Sequence, residues 1–184
     1  VGGLEKRTMI TTADERKSIA YHEAGHATLS WFLEHANPLV KVTIVPRGKA
    51  LGAAWYMPEE RQITTREQML DEMCATLGGR AAEALVIKDI TTGASNDIER
   101  ATAMARGMVT RYGMSEILGP IQFGEDSNEV FIGRDWGHTR NYGEAVATTI
   151  DEEVKRIVMG AYNEAIRILQ ENMEVLHASA KLLV

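Results

Sequence analysis

His22-Glu23-Ala24-Gly25-His26 leaves the chain little choice of backbone around it. Two histidines at i and i+4 of a helix lie about 40° apart around the axis and about 6 Å apart along it, so both imidazoles project to one side and can hold one Zn²⁺. Glu23 sits next to that pair. It suits a general base acting on a water whose pKa the metal lowers to around 7. The segment meets the helical requirement. Thr12-Ala13-Asp14-Glu15 has the capping-box form, and a helix-length stretch runs from it to Glu34, closed by Asn37-Pro38.

Catalytic zinc keeps three protein ligands and an open position, so a third ligand is required. The extended HExxHxxGxxH pattern does not supply it, because Leu29 stands where Gly belongs and Phe32 where His belongs. The remaining candidates are His35, His138, His177, Glu83 and Asp97. His35 lies beyond the reach of a metal held by His22 and His26 and is expected to face solvent. Glu83 and Asp97 each have an ordinary reading as well: a polar position on a helix for the first, a helix-dipole partner in the first turn after a Ser95-Asn96 cap for the second. Spacing alone does not choose between them.

The rest of the chain reads as mostly helical. Val40, Val42 and Ile44 alternate with polar residues, and a second run, Leu51 to Met57, follows a Pro46-Arg47-Gly48 turn and stops at Pro58. Together they predict a short two-stranded element. Thr64-Thr65-Arg66-Glu67 predicts a cap for a helix reaching Lys88, with Met69, Leu70, Met73, Leu77, Ala81 and Leu85 at helical spacing. Gly78-Gly79 inside that helix costs about 1 kcal/mol each relative to Ala, which implies a close approach to the backbone there. A loop over Thr91 to Asn96 leads into a helix with Ile98, Ala101, Ala105, Met108 and Val109 on its apolar face and Gly113 at its stop. Residues 114–140 are irregular. A long helix opens at Asn141-Tyr142-Gly143-Glu144, and a last one runs from Asn172 to the end.

Composition narrows the partners. Twenty Lys and Arg against 26 Asp and Glu give a net charge of −6, which argues against nucleic acid as a partner. The longest apolar run, Ala24 to Leu33, includes His26 and is too short to span a membrane. The single cysteine, Cys74, reads as a small buried apolar residue. At 184 residues the chain can support its own core. Its start at Val1-Gly2-Gly3 and its end at Leu182-Leu183-Val184 in mid-pattern suggest a domain cut from a longer polypeptide.

Several stretches beyond the zinc motif carry a resemblance. They are Tyr21 to Ala27, Lys41 to Gly48, Ala50-Leu51-Gly52, Leu77 to Glu83, Thr92 to Asp97, Met108-Val109-Thr110, Tyr112 to Ser115, Leu118-Gly119-Pro120 and Ile150 to Val154. In these the chain resembles the peptidase domain of the FtsH family, membrane-anchored ATP-dependent zinc proteases. The resemblance implies a mainly α, helical zinc-metallopeptidase domain over 12–184, with a small β element near the active site and residues 1–11 as a linker remnant. It implies that His22, His26 and Asp97 bind one Zn²⁺ and that Glu23 is the catalytic base, which leaves Glu83 as a candidate to accept a hydrogen bond from a ligand histidine.

It further implies unfolded or membrane-protein polypeptides as substrates and a homo-hexameric, membrane-anchored full-length protein with this domain on the cytoplasmic side or its organellar equivalent. ATP would be used only by an ATPase module that is not in this sequence, since no GxxxxGK[ST] occurs here. A rival expectation is a zinc-stabilised oligomerisation scaffold without activity. Glu23 weighs against it, because a structural site needs ligands but no base.

Overall fold

In the computed structural model, residues 12–46, 51–57, 61–124 and 142–184 are described. The expected linker over 1–11, Arg47 and Gly48 of the turn, Pro58, His138 and most of the irregular stretch lie outside them.

The capping box at Thr12 forms as the sequence predicts. Glu15 N–H donates to Thr12 Oγ1 at 3.1 Å and Thr12 N–H donates to the Glu15 carboxylate at 3.2 Å. Helix α1 follows over Ala13–Phe32 and ends short of Glu34, because Leu33 has already turned to extended backbone. Strands β1 (Leu39–Thr43) and β2 (Ala53–Tyr56) pair antiparallel, with Val42 opposite Ala54, Thr43 opposite Ala53, and a register irregularity between Leu39 and Lys41.

The second helix departs from expectation in two ways. Its cap is Thr65 with Gln68, not Thr64 with Glu67. The Gln68 amide oxygen accepts Thr65 N–H at 2.9 Å as a carboxylate would, and the one-residue shift leaves Glu67 in the first turn, where the helix dipole favours it. Nor does the helix continue unbroken to Lys88. Helix α2 is Arg66–Thr76, a turn at Leu77 follows, α3 is Gly78–Ala82, and Glu83–Ile87 form a π-helical turn ended by Lys88 at φ 58°. An apolar repeat read along the sequence does not register the wider π turn.

A 3₁₀ turn at Thr92–Ala94 runs directly into α4 (Ser95–Thr110). Neither Ser95 nor Asn96 is the cap: the Thr91 hydroxyl accepts Gly93 N–H at 3.1 Å and opens the element one turn earlier. Gly113, at φ 60°, takes the left-handed conformation expected after this helix, where an added β-carbon would also press on Pro120. Helix α5 spans Glu144–Glu171, and α6 spans Met173–Leu183 after a break at Asn172.

The described residues fall into two compact units that divide after Ala101 and after Val158. In the unit containing α1, that helix packs against α2, α3, α6 and both strands. Its core includes Ala20, Ala24, Leu29, Met73, Leu169 and Leu176, and Cys74 is buried with them. The other unit has its own core of Ala105, Met108, Val109, Ile150, Val154 and Ile157. There Glu153 is buried and accepts hydrogen bonds from Ser115 Oγ at 2.5 Å and Arg156 Nε at 2.6 Å. The architecture of the described residues is mainly α with one small antiparallel sheet. Among the described residues no helix is long and apolar enough to cross a membrane.

Two glycine contacts fix α1 against α3. A β-carbon on Gly78 would stand 2.8 Å from the Gly25 carbonyl oxygen, and one on Gly25 would stand 2.8 Å from Ala82 Cβ. The helices therefore meet backbone to backbone. This meets the expectation of a close approach at Gly78-Gly79.

Candidate metal centre

The buried middle of α1 runs from Ala20 through Leu29 and Ser30 with little interruption, so its polar members must find partners inside the protein. His22, Glu23 and His26 are each less than 10% exposed. His26 Nδ1–H donates to the Ala75 carbonyl at 2.8 Å, at the end of α2. His22 Nδ1–H donates to Glu83 Oε1 at 3.3 Å, at the start of the π turn. In the neutral rings these partners place the hydrogen on Nδ1 and leave Nε2 with its lone pair.

Both lone pairs face Asp97 in the first turn of α4. Asp97 Oδ2 lies 3.0 Å from His22 Nε2 and 3.1 Å from His26 Nε2, and the two Nε2 atoms are 3.1 Å apart. With both rings neutral three acceptors converge there, an arrangement that calls for a cation among them, either a proton on an imidazole or a metal ion. Ligand atoms about 2.0–2.1 Å from a tetrahedral zinc are about 3.3 Å from one another. Two imidazole nitrogens and one carboxylate oxygen at 3.0–3.1 Å fit that ion in both donor type and spacing. Among the described residues this is the only His, Cys, Asp or Glu group of its kind.

The local electrostatics express the same demand for positive charge. Burial disfavours a charged His22, but hydrogen bonds to Asp97 and Glu83 outweigh it and raise the imidazole to about 9. Burial likewise opposes the Asp97 carboxylate, yet His22 and His26 hold it well below the usual range. Glu23 goes the other way: burial pushes its carboxyl up, with Asp97 adding and the two histidines opposing. Among these acids, Glu23 is the one shifted toward the range of a proton carrier.

Glu83 reaches the far side of the His22 ring, away from the converging atoms. Its Oε1 also accepts the Thr91 hydroxyl at 2.6 Å, and its Oε2 accepts Thr91 N–H at 3.3 Å and lies 3.6 Å from Arg80 Nε. Glu83 is thus a hydrogen-bond partner of His22. Thr91, Arg80 and the Ala75 carbonyl complete this outer layer, and no spacing in the sequence singles them out. The other described histidines stay outside the triad. His177 Nδ1 lies 2.6 Å from the Tyr21 hydroxyl, and His35 is partly exposed at the end of α1, its backbone N–H donating to Asp71 at 3.0 Å.

The triad opens into a cleft of about 930 Å³, bordered by α1, by Leu51 through Tyr56 and by the loop into α4. Gly52 approaches Glu23 closely: a β-carbon there would stand 3.0 Å from Glu23 Cγ. Arg100 lines the opening, 3.9 Å from Asp97 Oδ1.

Comparisons with known proteins identify the family. A profile described as Peptidase family M41 matches residues 9–184. A protein of Parabacteroides distasonis named ATP-dependent zinc metalloprotease FtsH is 65% identical over 174 residues, covering 95% of this chain and 25% of that relative. ATP-dependent zinc metalloprotease FtsH 1 of a Thermoanaerobacter species is 52% identical over the whole chain and 30% of its own length. A Myxococcus xanthus relative of the same family name is 48% identical over 99% of the chain and 29% of its own. The chain therefore spans a quarter to three tenths of the length of these relatives. A family match reaching across both units, over a helix whose two histidines meet an acid from another element, leaves one conclusion: the chain belongs to peptidase family M41.

Proposed function

We propose that the chain is a zinc endopeptidase domain that hydrolyses peptide bonds of unfolded polypeptides. His22, His26 and Asp97 hold the metal, and Glu23 is the general base. The observation that carries this reading is the convergence of two imidazole Nε2 atoms and one carboxylate oxygen at 3.0–3.1 Å beside a buried glutamate. Zinc bound there supplies Lewis-acid polarisation of the scissile carbonyl and acidifies the attacking water. Glu23 takes the proton of that water on its carboxylate and delivers it to the leaving amine, a transfer favoured by its upward-shifted pKa. Glu83 and the Ala75 carbonyl hold the two rings in the tautomers that present Nε2. The edge of β2, with small residues at Ala53 and Ala54, offers main-chain groups to an extended substrate.

The same family relationship supports treating residues 12–184 as one peptidase domain. It also supports a longer, membrane-anchored, homo-hexameric protein in which an ATPase module feeds this domain on the cytoplasmic side or its organellar equivalent. Membrane proteins would be among its substrates. The scaffold alternative is not favoured, since the relatives are named as zinc metalloproteases.

The test is cleavage of casein by the zinc-loaded chain, with Glu23→Gln as control and metal content determined on both. Cleavage by the wild type and none by a variant retaining about one zinc is the expected result. Equal cleavage by both proteins would refute the role of Glu23.

A further inference from the structure

Arg100 stands about one turn beyond Asp97 on α4 and lines the same cleft. Its Nη1 lies 3.9 Å from Asp97 Oδ1, the partner of the oxygen that meets both Nε2 atoms, so the guanidinium borders the candidate metal centre. The side chain is 54% exposed, within reach of a polypeptide in the cleft. A separation of 3.9 Å is too long for a hydrogen bond, and among the described residues Arg100 makes none. Arg80 is engaged differently: it donates to the Thr91 carbonyl at 3.0 Å and lies 3.6 Å from Glu83. An exposed ion pair three residues apart on a helix contributes little to stability, so the fold does not account for Arg100.

The charge around it is of the other sign. Arg100 is the only Lys or Arg among the described residues that line the cleft, whereas Asp14, Glu15 and Glu72 line it alongside Glu23 and Asp97. An acidic side chain carried into the cleft therefore meets like charge along most of this wall and a fixed opposite side-chain charge at Arg100. The guanidinium offers a planar fork of N–H donors that a carboxylate matches with both oxygens. A polypeptide cut within its length presents such carboxylates as Asp and Glu side chains.

We propose that Arg100 is a specificity-determining residue that binds the carboxylate of an Asp or Glu side chain of the bound polypeptide, close to the bond being cut. The inference rests on the peptidase reading above and adds a substrate class to it, segments with an acidic residue in the register set by Arg100. The measurement is binding of two dansyl-labelled peptides to the zinc-loaded chain carrying Glu23→Gln, which leaves them intact. Both are blocked at their ends and uncharged, except that one has a central Glu where the other has Gln. The readout is the ratio of the two affinities within each protein, which a general weakening of binding does not move. Arg100→Gln and Arg100→Lys are added singly, with zinc content determined on each.

A charge-assisted hydrogen bond corresponds to about 10-fold in affinity at the low end of its range. The expected result is a preference of that size for the Glu peptide in the parent, shrinking as salt is raised. Arg100→Gln should abolish it, and Arg100→Lys, which keeps the charge and loses the fork, should leave a smaller one. No preference in the parent, or an equal one with Arg100→Gln, overturns the assignment. If Arg100→Gln does not hold zinc, Arg100→Lys and the salt dependence of the parent carry the test. A Gln peptide with a free C-terminus that binds as tightly as the blocked Glu peptide overturns the side chain as the source of the carboxylate. Failure of the Glu peptide to bind, while the wild type cleaves casein, overturns the role of Arg100 and leaves the peptidase reading intact. No peptide binding together with no casein cleavage removes both.

Discussion

The His22 imidazole lies directly over Gly79: a β-carbon added there would fall within 2.5 Å of His22 Nδ1. One glycine of α3 therefore sets the height at which a histidine of α1 stands, and with it the position of Nε2.

Gly79→Ala is accordingly expected to damage the metal site more than the fold. Alanine ordinarily favours a helix over glycine by about 1 kcal/mol, so any cost must come from displacing the ring. Zinc affinity should fall by at least 10-fold, the scale seen when the support of a metal-binding histidine is disturbed. Competition with a chromophoric chelator measures it. An affinity equal to the parent's would mean that the ring can shift without penalty.

Gly25→Ala is expected to destabilise the fold itself. The added methyl has the Gly78 backbone and Ala82 Cβ at 2.8 Å in its way, and neither can give without moving a helix. Overpacking of this kind costs about 1–3 kcal/mol, against the gain alanine brings to an exposed helix site. Urea unfolding should show a lower midpoint with an unchanged slope. A higher midpoint would contradict the backbone contact.

Glu83→Gln keeps an oxygen near His22 Nδ1 but removes the charge that favours donation from it. About 10-fold weaker zinc binding is expected. Thr91→Val, which removes a hydroxyl held by Glu83 at 2.6 Å, should have a smaller effect in the same direction. Reversed ranking of the two variants would show that the threonine, not the charge, sets the ring.

Glu153 gives a pH dependence in the other unit. The Arg156 hydrogen bond, opposed by burial and aided by Ser115, holds its carboxyl below the ordinary value of 4.5. A carboxyl lowered in the folded state adds stability above its unfolded pKa and loses it as pH falls through the folded one. Amide exchange across Glu144 to Val158 should therefore quicken as pH is lowered below about 4.5, after correction for intrinsic rates. Glu153→Gln should be less stable than the parent at pH 7 and show a flatter response to acid.

How far the sequence reaches is clear from individual residues. The Thr12 box, the helical setting of His22 and His26 and the Gly113 stop are short-range patterns in which each residue acts on neighbours a few positions away, and the two strands announce themselves by their own alternation. Those are legible because local backbone geometry alone brings the partners together. The Thr65–Gln68 cap and the Thr91-led entry to α4 stand one residue and one turn from where the sequence predicts them, since adjacent threonines and serines offer equivalent hydroxyls.

The sequence by itself determined that two histidines share one face of a helix with a glutamate beside them, and that a third ligand for any metal held by that pair has to come from elsewhere in the chain. Spacing left Glu83 and Asp97 equal. Tertiary structure separated them: the π turn sets Glu83 against Nδ1 of His22, while the 3₁₀ entry to α4 sets Asp97 Oδ2 between both Nε2 atoms. The physical reason is distance along the chain. Asp97 stands 75 residues from His22 and 71 from His26, and only the glycine-to-backbone packing of α1 on α3, with the turns that follow, converts that separation into 3 Å.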